Sequence, residues 1–318
     1  MTQNRIALIL GATGSIGSEV ARRLSARGWS VRALHRNPAG LAARDARFEW
    51  HQGDAMVAKD VLAAAQGAQL IVHAVNPQSY HNWGGLVLPM IDNTIAAARA
   101  CGARILLPGT IYNFGPDAFP VLSEASVQRP LTRKGAIRVE LERRLRLAAG
   151  DGVRSLVVRA GDFFGPGTGN NWFSGAIVKP GKPLRTIYYP GKPGIGHQWA
   201  YVPDVAETMV RLLEQEEQLA PFSTYSMKGH WDADGTQMIA SIRRVVNHPA
   251  FKVRAFPWRA LPIMSPFSEM FRELLEMRYL WQQPIRMENT QVLATLGEEP
   301  RTPWDDAVRT TLTSMRCV

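Results

Sequence analysis

The 318-residue chain carries 37 basic against 27 acidic residues, a formal net charge of +10, with 46% hydrophobic and 20% charged residues. Such a balance belongs to a folded globular chain of one or two domains and excludes a disordered one. No apolar run is long enough to span a bilayer, and the two cysteines, Cys101 and Cys317, imply neither a disulfide scaffold nor a metal cluster. With the first strand following directly on Arg5 and no signal peptide ahead of it, a cytoplasmic protein that engages no membrane is expected.

The stretch from Arg5 to Gly17 reads RIALILGATGSIG. Ile6 to Leu10 is a nearly continuous apolar run, the pattern of a parallel strand buried on both faces. Gly11, Gly14 and Gly17 follow at once, and Ser18 to Arg27 reads as a helix with Gly28 as its stop. Strand, glycine turn and helix form a dinucleotide cradle. One glycine permits the tight reversal, a second lets backbone approach a pyrophosphate, and a third lets helix and strand pack closely, while N–H groups at the helix start face the phosphate charge. Gly11, Thr13, Gly14, Ser15, Ile16 and Gly17 are the candidate pyrophosphate-binding residues.

A second strand, Ser30 to Leu34, ends in His35-Arg36-Asn37-Pro38. In a dinucleotide fold this strand end meets the adenosine ribose, where an acid would accept hydrogen bonds from the 2′-hydroxyl of NAD. No acid stands there, and the guanidinium of Arg36 suits a 2′-phosphate, so NADP is expected ahead of NAD. Strands and helices then alternate: Phe48 to Gly53, a helix to Ala65, Leu70 to Val75, a helix from Leu88 to Cys101, Ala103 to Leu107, a charged helix from Arg133 to Ala149, and Val153 to Arg159. That alternation predicts an α/β fold with a doubly wound parallel sheet.

From Phe164 to Gln198 the sequence turns rich in Gly, Pro and aromatics, the profile of loops covering a site. Helical periodicity returns from Val205 to Gln215, and Phe256 to Trp281 reads as a Met- and aromatic-rich helix packing on the sheet domain. The basic residues Arg133, Lys134, Arg138, Arg143, Arg144 and Arg146 are interleaved with Glu140 and Glu142, a solvated helix face rather than a nucleic-acid tract. Attraction of an anionic cofactor or an acidic substrate is the milder consequence, and no nucleic-acid partner is expected.

The motifs GATGSIG, Gly53-Asp54, VHAVN, LPGTIYNFGP, VVRAGDFFGPG and AYVPDVAETMVRLLE together resemble the extended short-chain dehydrogenase/reductase superfamily, the epimerase/dehydratase-like proteins included. The resemblance implies a Rossmann domain, residues 1–163 plus about 199–215, and a smaller C-terminal substrate domain made of 164–198 plus 216–318. It further implies that Asp54 and Ala55 meet the adenine, that Ala74, Val75 and Asn76 line the nicotinamide ribose, that no metal is used, and that homodimers form through helices flanking the site. Asn170, Asn171, Trp172, Tyr188, Tyr189, His197 and Trp199 fall in the loops that cover substrate in that family; amides and aromatics suit a polyol or an aromatic ring equally.

In the superfamily a Ser or Thr holds the substrate oxygen, a Tyr is the general acid/base, and a Lys four residues later binds the ribose. Thr110 falls at the hydroxyl position, but Lys134 stands for the Tyr and Arg138 for the Lys. Arginine keeps its proton, so Arg138 can bind ribose or phosphate without exchanging protons. Lysine can exchange one where burial and a neighbouring cation lower its pKa. Lys-x-x-Ile-Arg at this place also looks like the isoflavone-reductase-like branch, where a lysine acts in NADPH-dependent reduction. Two solvated basic residues, with Arg138 paired to Glu142, are the plainer reading, and Tyr112 is a substitute acid. The expectation is an NADP-dependent oxidoreductase of a small carbonyl, sugar or enone substrate. A non-catalytic NADP(H) sensor is the alternative, and a nucleotide-sugar epimerase or dehydratase the weaker one.

Overall fold

The structure is a computed structural model describing residues 5–77, 82–167, 169, 171–246 and 251–318, with the side chains of Arg44 and Met270 outside that description. The apolar runs become seven strands: β1 (Ile6–Leu10), β2 (Ser30–His35), β3 (Phe48–Gln52), β4 (Leu70–His73), β5 (Arg104–Pro108), β6 (Ser155–Arg159) and β7 (Phe222–Ser226). They form one parallel sheet in the order β3-β2-β1-β4-β5-β6-β7. Strand order reverses between β1 and β4, and the crevice at their carboxyl ends is where such sheets bind ligands.

Helices cover both faces, as a parallel sheet requires. β1 shows why its run is continuous: Ala7 and Ile9 pack with Val20 and Leu24 of α1 (Ser15–Ala26), whereas Leu8 and Leu10 pack on the other side with Val61 of α2 (Ala58–Ala64), Ile91 of α3 (Trp83–Cys101) and Leu141 of α4 (Arg133–Gly150). α5 (Val202–Glu214) lies beside α1 and buries Val205, Ala206 and Met209 in the same layer.

A second core forms beyond the carboxyl ends of the strands, built on Phe164, Phe173, Trp199, Tyr201 and Trp281. A three-stranded sheet of Asp162–Phe164, His197–Tyr201 and His230–Asp232 runs through it, with α6 (Gln237–Val246), α7 (Glu269–Glu276) and α8 (Trp304–Ser314) around it. The boundaries differ from those expected. Strand 197–201 belongs with 162–164 in this lobe, and Phe222–Ser226, expected among the substrate segments, completes the main sheet. Its alternating sequence FSTYS conceals it because an edge strand needs no continuous apolar run. Phe256 to Trp281 is no single helix: Pro257, Pro262 and Pro266 break it into turns ahead of α7.

Candidate active site

The three glycines at the switch point do different work. Gly11 has φ +93°, and a Cβ on it would sit 2.6 Å from the Ala74 carbonyl oxygen, so β1 and β4 close together only because this residue has no side chain. A Cβ on Gly17 would overlap the Gly11 carbonyl, which fixes how closely α1 approaches the turn. Gly14 is different: its backbone is extended, and an added Cβ would meet only the Gly11 oxygen at 3.3 Å. A Cβ at Gly14 would thus press on one backbone oxygen without the overlap seen at Gly11 and Gly17, and its absence keeps the start of α1 open to an approaching group. Thr13 is exposed and Ser15 half-buried there, while Ile16 turns into the α1 core. This is a cradle that fits a dinucleotide pyrophosphate.

At the neighbouring strand ends, Arg36 is exposed after β2 and enters no ion pair among the described residues. Asp54 follows β3, its Oδ1 accepting from Met56 N at 2.9 Å, and the Ala55 carbonyl accepts from Asn93 at 2.9 Å. Ala74, Val75 and Asn76 continue β4, with Asn76 exposed. His73, the last residue of β4, is fully buried with Nδ1 2.8 Å from Thr94 Oγ1. The Thr94 hydroxyl donates to the Met90 carbonyl, so it accepts from His73, which is thereby held in its Nδ1–H form. Burial, helped by the Arg138 charge, pushes the His73 pKa down to about 3.

The loop after β5 and the start of α4 are locked together. Thr110 and Tyr112 are half-buried, Thr110 Oγ1 accepts from Tyr112 N at 3.3 Å, and Gly135 rests against the Tyr112 carbonyl so closely that any Cβ would collide with it. Thr132 caps the helix by accepting from Gly135 N at 3.0 Å. Below them, the buried Arg159 at the end of β6 donates to both Glu142 oxygens, at 3.1 and 2.6 Å, and Gln128 donates to Glu142 at 2.9 Å. The local geometry thus carries Lys134 and Arg138 to the loop that holds Thr110 and Tyr112.

Neither basic residue is a solvated one. Lys134 is 1% exposed, its Nζ 2.6 Å from Glu273 Oε2 of α7 and 5.6 Å from the centre of the Trp83 ring. Burial pushes its ammonium below the ordinary lysine range, and Glu273 pushes the other way, with weaker help from Glu276 and Glu269. Arg138 does not pair with Glu142, which belongs to Arg159. Its Nη2 donates to Asn76 Oδ1 at 3.0 Å and its guanidinium lies 5.1 Å from the Trp83 ring. An open pocket of about 240 Å³ is walled by Trp83, Arg133, Lys134, Glu269 and Glu273. Glu273, Glu269 and Trp83 were not among the residues picked from sequence, nor was His73.

The residues expected to cover substrate divide. Asn170 lies outside the described residues. Asn171 accepts from Ser174 N at 2.8 Å and Ser174 Oγ at 3.0 Å, capping the turn Phe173–Ile177. Tyr188 is half-buried in the strand Thr186–Tyr189. Trp172, His197 and Trp199 instead build the second core. Trp172 packs on Phe256, Trp258 and Trp281, Trp199 is fully buried, and His197 stacks on Trp281 at 3.6 Å with its Nε2 2.8 Å from Asp162. They do not line the pocket at Lys134. Among the described residues no His, Cys, Asp and Glu gather in a metal-binding group, and no helix is long and apolar enough to cross a membrane.

Comparison with known proteins bears on the family and the fold. A 3-diazoavenalumate denitrifying reductase of Streptomyces sp is 31% identical over 177 residues, covering 51% of this chain and 57% of that protein. A ceramide reductase of Caulobacter vibrioides is 31% identical over 110 residues, covering 33% of this chain and 35% of its own length. The chain thus spans little more than half of the first relative and about a third of the second. Among solved structures, a putative epimerase from Burkholderia cenocepacia superposes with TM-score 0.76 at 18% identity over 99% of both chains. MoeE5 in complex with UDP-glucose and NAD superposes with TM-score 0.73 at 18% identity, over 98% of this chain and 99% of that one. These structures share the fold. The family model of the NAD dependent epimerase/dehydratase family matches residues 7–227, the whole seven-strand sheet and its glycine turn, and the chain belongs to that family.

Proposed function

We propose that this chain is an NADP-dependent reductase of a small carbonyl, sugar or enone substrate. The observation that carries the reading is Lys134, an ammonium buried at the pocket wall and held by a carboxylate 2.6 Å away. A reduced nicotinamide bound at the switch point would supply the hydride. What the chain must add is a proton for the substrate atom left with the electron pair, and a binding group for the substrate oxygen. An ammonium kept charged by Glu273 is an acid, which suits reduction better than oxidation, and burial brings its pKa down towards the working range. Thr110, half-exposed on the adjoining loop, would bind the oxygen, and Tyr112 is the reserve donor. Arg138, joined to Asn76, would bind the ribose side rather than move protons. Arg36, exposed and without an ion pair among the described residues, would clamp the 2′-phosphate that selects NADP. Both named relatives above are reductases, which supports the direction.

A second reading is favoured by the same contact: with Glu273 on its ammonium, Lys134 could serve only to tie α7 down over a bound dinucleotide, giving a sensor of the NADP/NADPH ratio. Epimerase or dehydratase chemistry is weaker, since it relies on the tyrosine that Lys134 replaces. Absorbance of NADPH followed with a panel of aldehydes, ketones, enones and nucleotide sugars separates these. Turnover lost in Lys134→Ala supports the reductase, whereas turnover that survives Lys134→Ala, Tyr112→Phe and Thr110→Ala separately sinks the mechanism. No turnover, with tight and unequal binding of NADP and NADPH, supports the sensor. Arg36→Asp should weaken NADP binding far more than NAD binding; equal loss would refute the phosphate clamp.

A further inference from the structure

The segment leading into α7 has a composition unlike the rest of the chain. From Gly235 to Ser268 the sequence holds no acidic residue, while Arg243, Arg244, Lys252, Arg254 and Arg259 fall within it. At its end the chain presents apolar side chains to solvent: Phe267 is 89% exposed, Ile263 74% and Met264 42%. Phe267 and Ile263 are the two most exposed large apolar side chains among the described residues, Met264 lies between them in the chain, and they do not belong to a loose loop. Leu261 is buried at the base, the Trp258 indole donates to the Pro190 carbonyl at 2.7 Å, and Trp258 packs on Trp172 and Phe256. The tip is thus held outward by an anchored base. Arg272, on the first turns of α7, reaches back towards the Ser265 carbonyl at 3.5 Å, so a guanidinium lies beside the apolar tip, and Arg259, shortly ahead of the tip in the chain, is exposed. Among the described residues neither arginine enters an ion pair, and nor do Lys252 or Arg254.

We propose that this tip docks the protein reversibly on an anionic lipid surface, Ile263, Met264 and Phe267 entering the headgroup boundary and Arg259 and Arg272 meeting the lipid charge. Exposed apolar side chains rimmed by unpaired cations are the combination that binds such surfaces, and each element alone is too weak to hold a protein there. A second copy of the chain fits less well. A two-fold interface would set the same basic flank against itself, where like charges repel. Docking is distinct from spanning, for which no helix among the described residues is long and apolar enough. Its position has a consequence, because the tip runs straight into α7, whose Glu269 and Glu273 wall the pocket. A bilayer engaged at the tip would lie beside that pocket.

The test needs no substrate and so stands apart from the reductase reading. The full chain is sedimented with vesicles of phosphatidylcholine containing about a third phosphatidylglycerol, and with pure phosphatidylcholine vesicles, at about 0.1 M salt. The proposal expects binding to the anionic vesicles that falls at least about tenfold in pure phosphatidylcholine, in high salt, in Ile263→Ser/Phe267→Ser and in Arg259→Glu/Arg272→Glu. All four positions are exposed, so thermal melts of both variants should match the parent. Absence of binding to anionic vesicles would overturn the proposal, as would binding indifferent to both variants. Sedimentation velocity supplies the remaining arm: a parent oligomer that dissociates in Ile263→Ser/Phe267→Ser would assign the tip to a second copy and overturn the lipid assignment.

Discussion

The glycine cradle and the pocket at Lys134 are built on opposite plans. The cradle is backbone: a strand end, a glycine turn and the start of α1, closed on the end of β4 by contacts in which a single Cβ would not fit. The pocket is side chains. Lys134 comes from α4, Glu273 from α7 in the other lobe, and Trp83 from the start of α3, and opposite charges rather than close packing hold the first two together. A backbone site tolerates almost no change in shape but carries little chemistry. A site of charged side chains can be changed residue by residue, and the pocket at Lys134 is of that kind beside a cradle fixed by its backbone.

The sharpest way to break that contrast is at the glycines. Gly17→Ala puts a Cβ into the Gly11 carbonyl and should lose several kcal/mol of stability, on the order of 3 or more, together with dinucleotide binding. Gly14→Ala, with only the 3.3 Å contact, should cost far less stability than Gly17→Ala while weakening dinucleotide binding at least about tenfold. Thermal melts and fluorescence titration with NADPH read both effects. Equal destabilisation by the two variants would mean that Gly14 too serves packing, and the open cradle would fall. Next in size is Glu142→Leu, which leaves the buried Arg159 guanidinium without its carboxylate and should cost roughly 3–5 kcal/mol in urea denaturation. A loss below about 1 kcal/mol would show that this ion pair does not hold α4 to β6.

The cradle was legible in the sequence because its parts are neighbours along the chain: apolar run, glycine spacing and helix start all fall between Ile6 and Ala26. The sheet was legible for the same reason, apart from β7, whose edge position removes the apolar run that marks a buried strand. The pocket was legible only in half. Lys134 and Arg138 could be placed by their distance from the other motifs, but Glu273 gave no local sign. A glutamate on an amphipathic helix reads as solvated until the fold brings that helix over a buried ammonium. Trp172, His197 and Trp199 misled in the opposite direction, since an aromatic-rich stretch reads the same whether it lines a pocket or fills a core. Trp83 was missed because Gly84, Gly85 and Pro89 look like breakers; in the structure α3 begins ahead of them and carries Pro89 within it.

His73, the last residue of β4, lies next to the cradle strand end and feels the Arg138 charge, and its burial makes the stability of the fold depend on pH. Its folded pKa, near 3, lies below the ordinary histidine value, so the folded state binds fewer protons than the unfolded one. Stability from the neutral ring is complete above about pH 6.5 and is lost as pH falls from there towards 3, by up to about 1.4 kcal/mol per pH unit. Urea midpoints between pH 7 and pH 5 should therefore decline in the parent and decline less in His73→Asn, which keeps a donor to Thr94 but cannot titrate. Parallel slopes would show that His73 is not the group responsible.

The smallest effect bears most directly on the chemistry. If Lys134 is the acid of the proposed reduction, it must be charged to donate, so activity should fall on the alkaline side as it loses its proton, and burial sets that limb below the ordinary lysine range. Glu273 opposes the shift by holding the ammonium. Glu273→Gln keeps the shape of the side chain and a hydrogen-bonding group beside Nζ but removes the charge, so the limb of kcat/KM should move to lower pH, with turnover at neutral pH largely kept. A residue that merely ties α7 to α4 would behave differently: its loss would loosen the lobe, raise KM at every pH and leave the limb in place. That outcome would leave Lys134 a fastening rather than an acid and give the pocket to the sensor reading. A moved limb at constant KM would show that a carboxylate from the far lobe sets the proton affinity of Lys134.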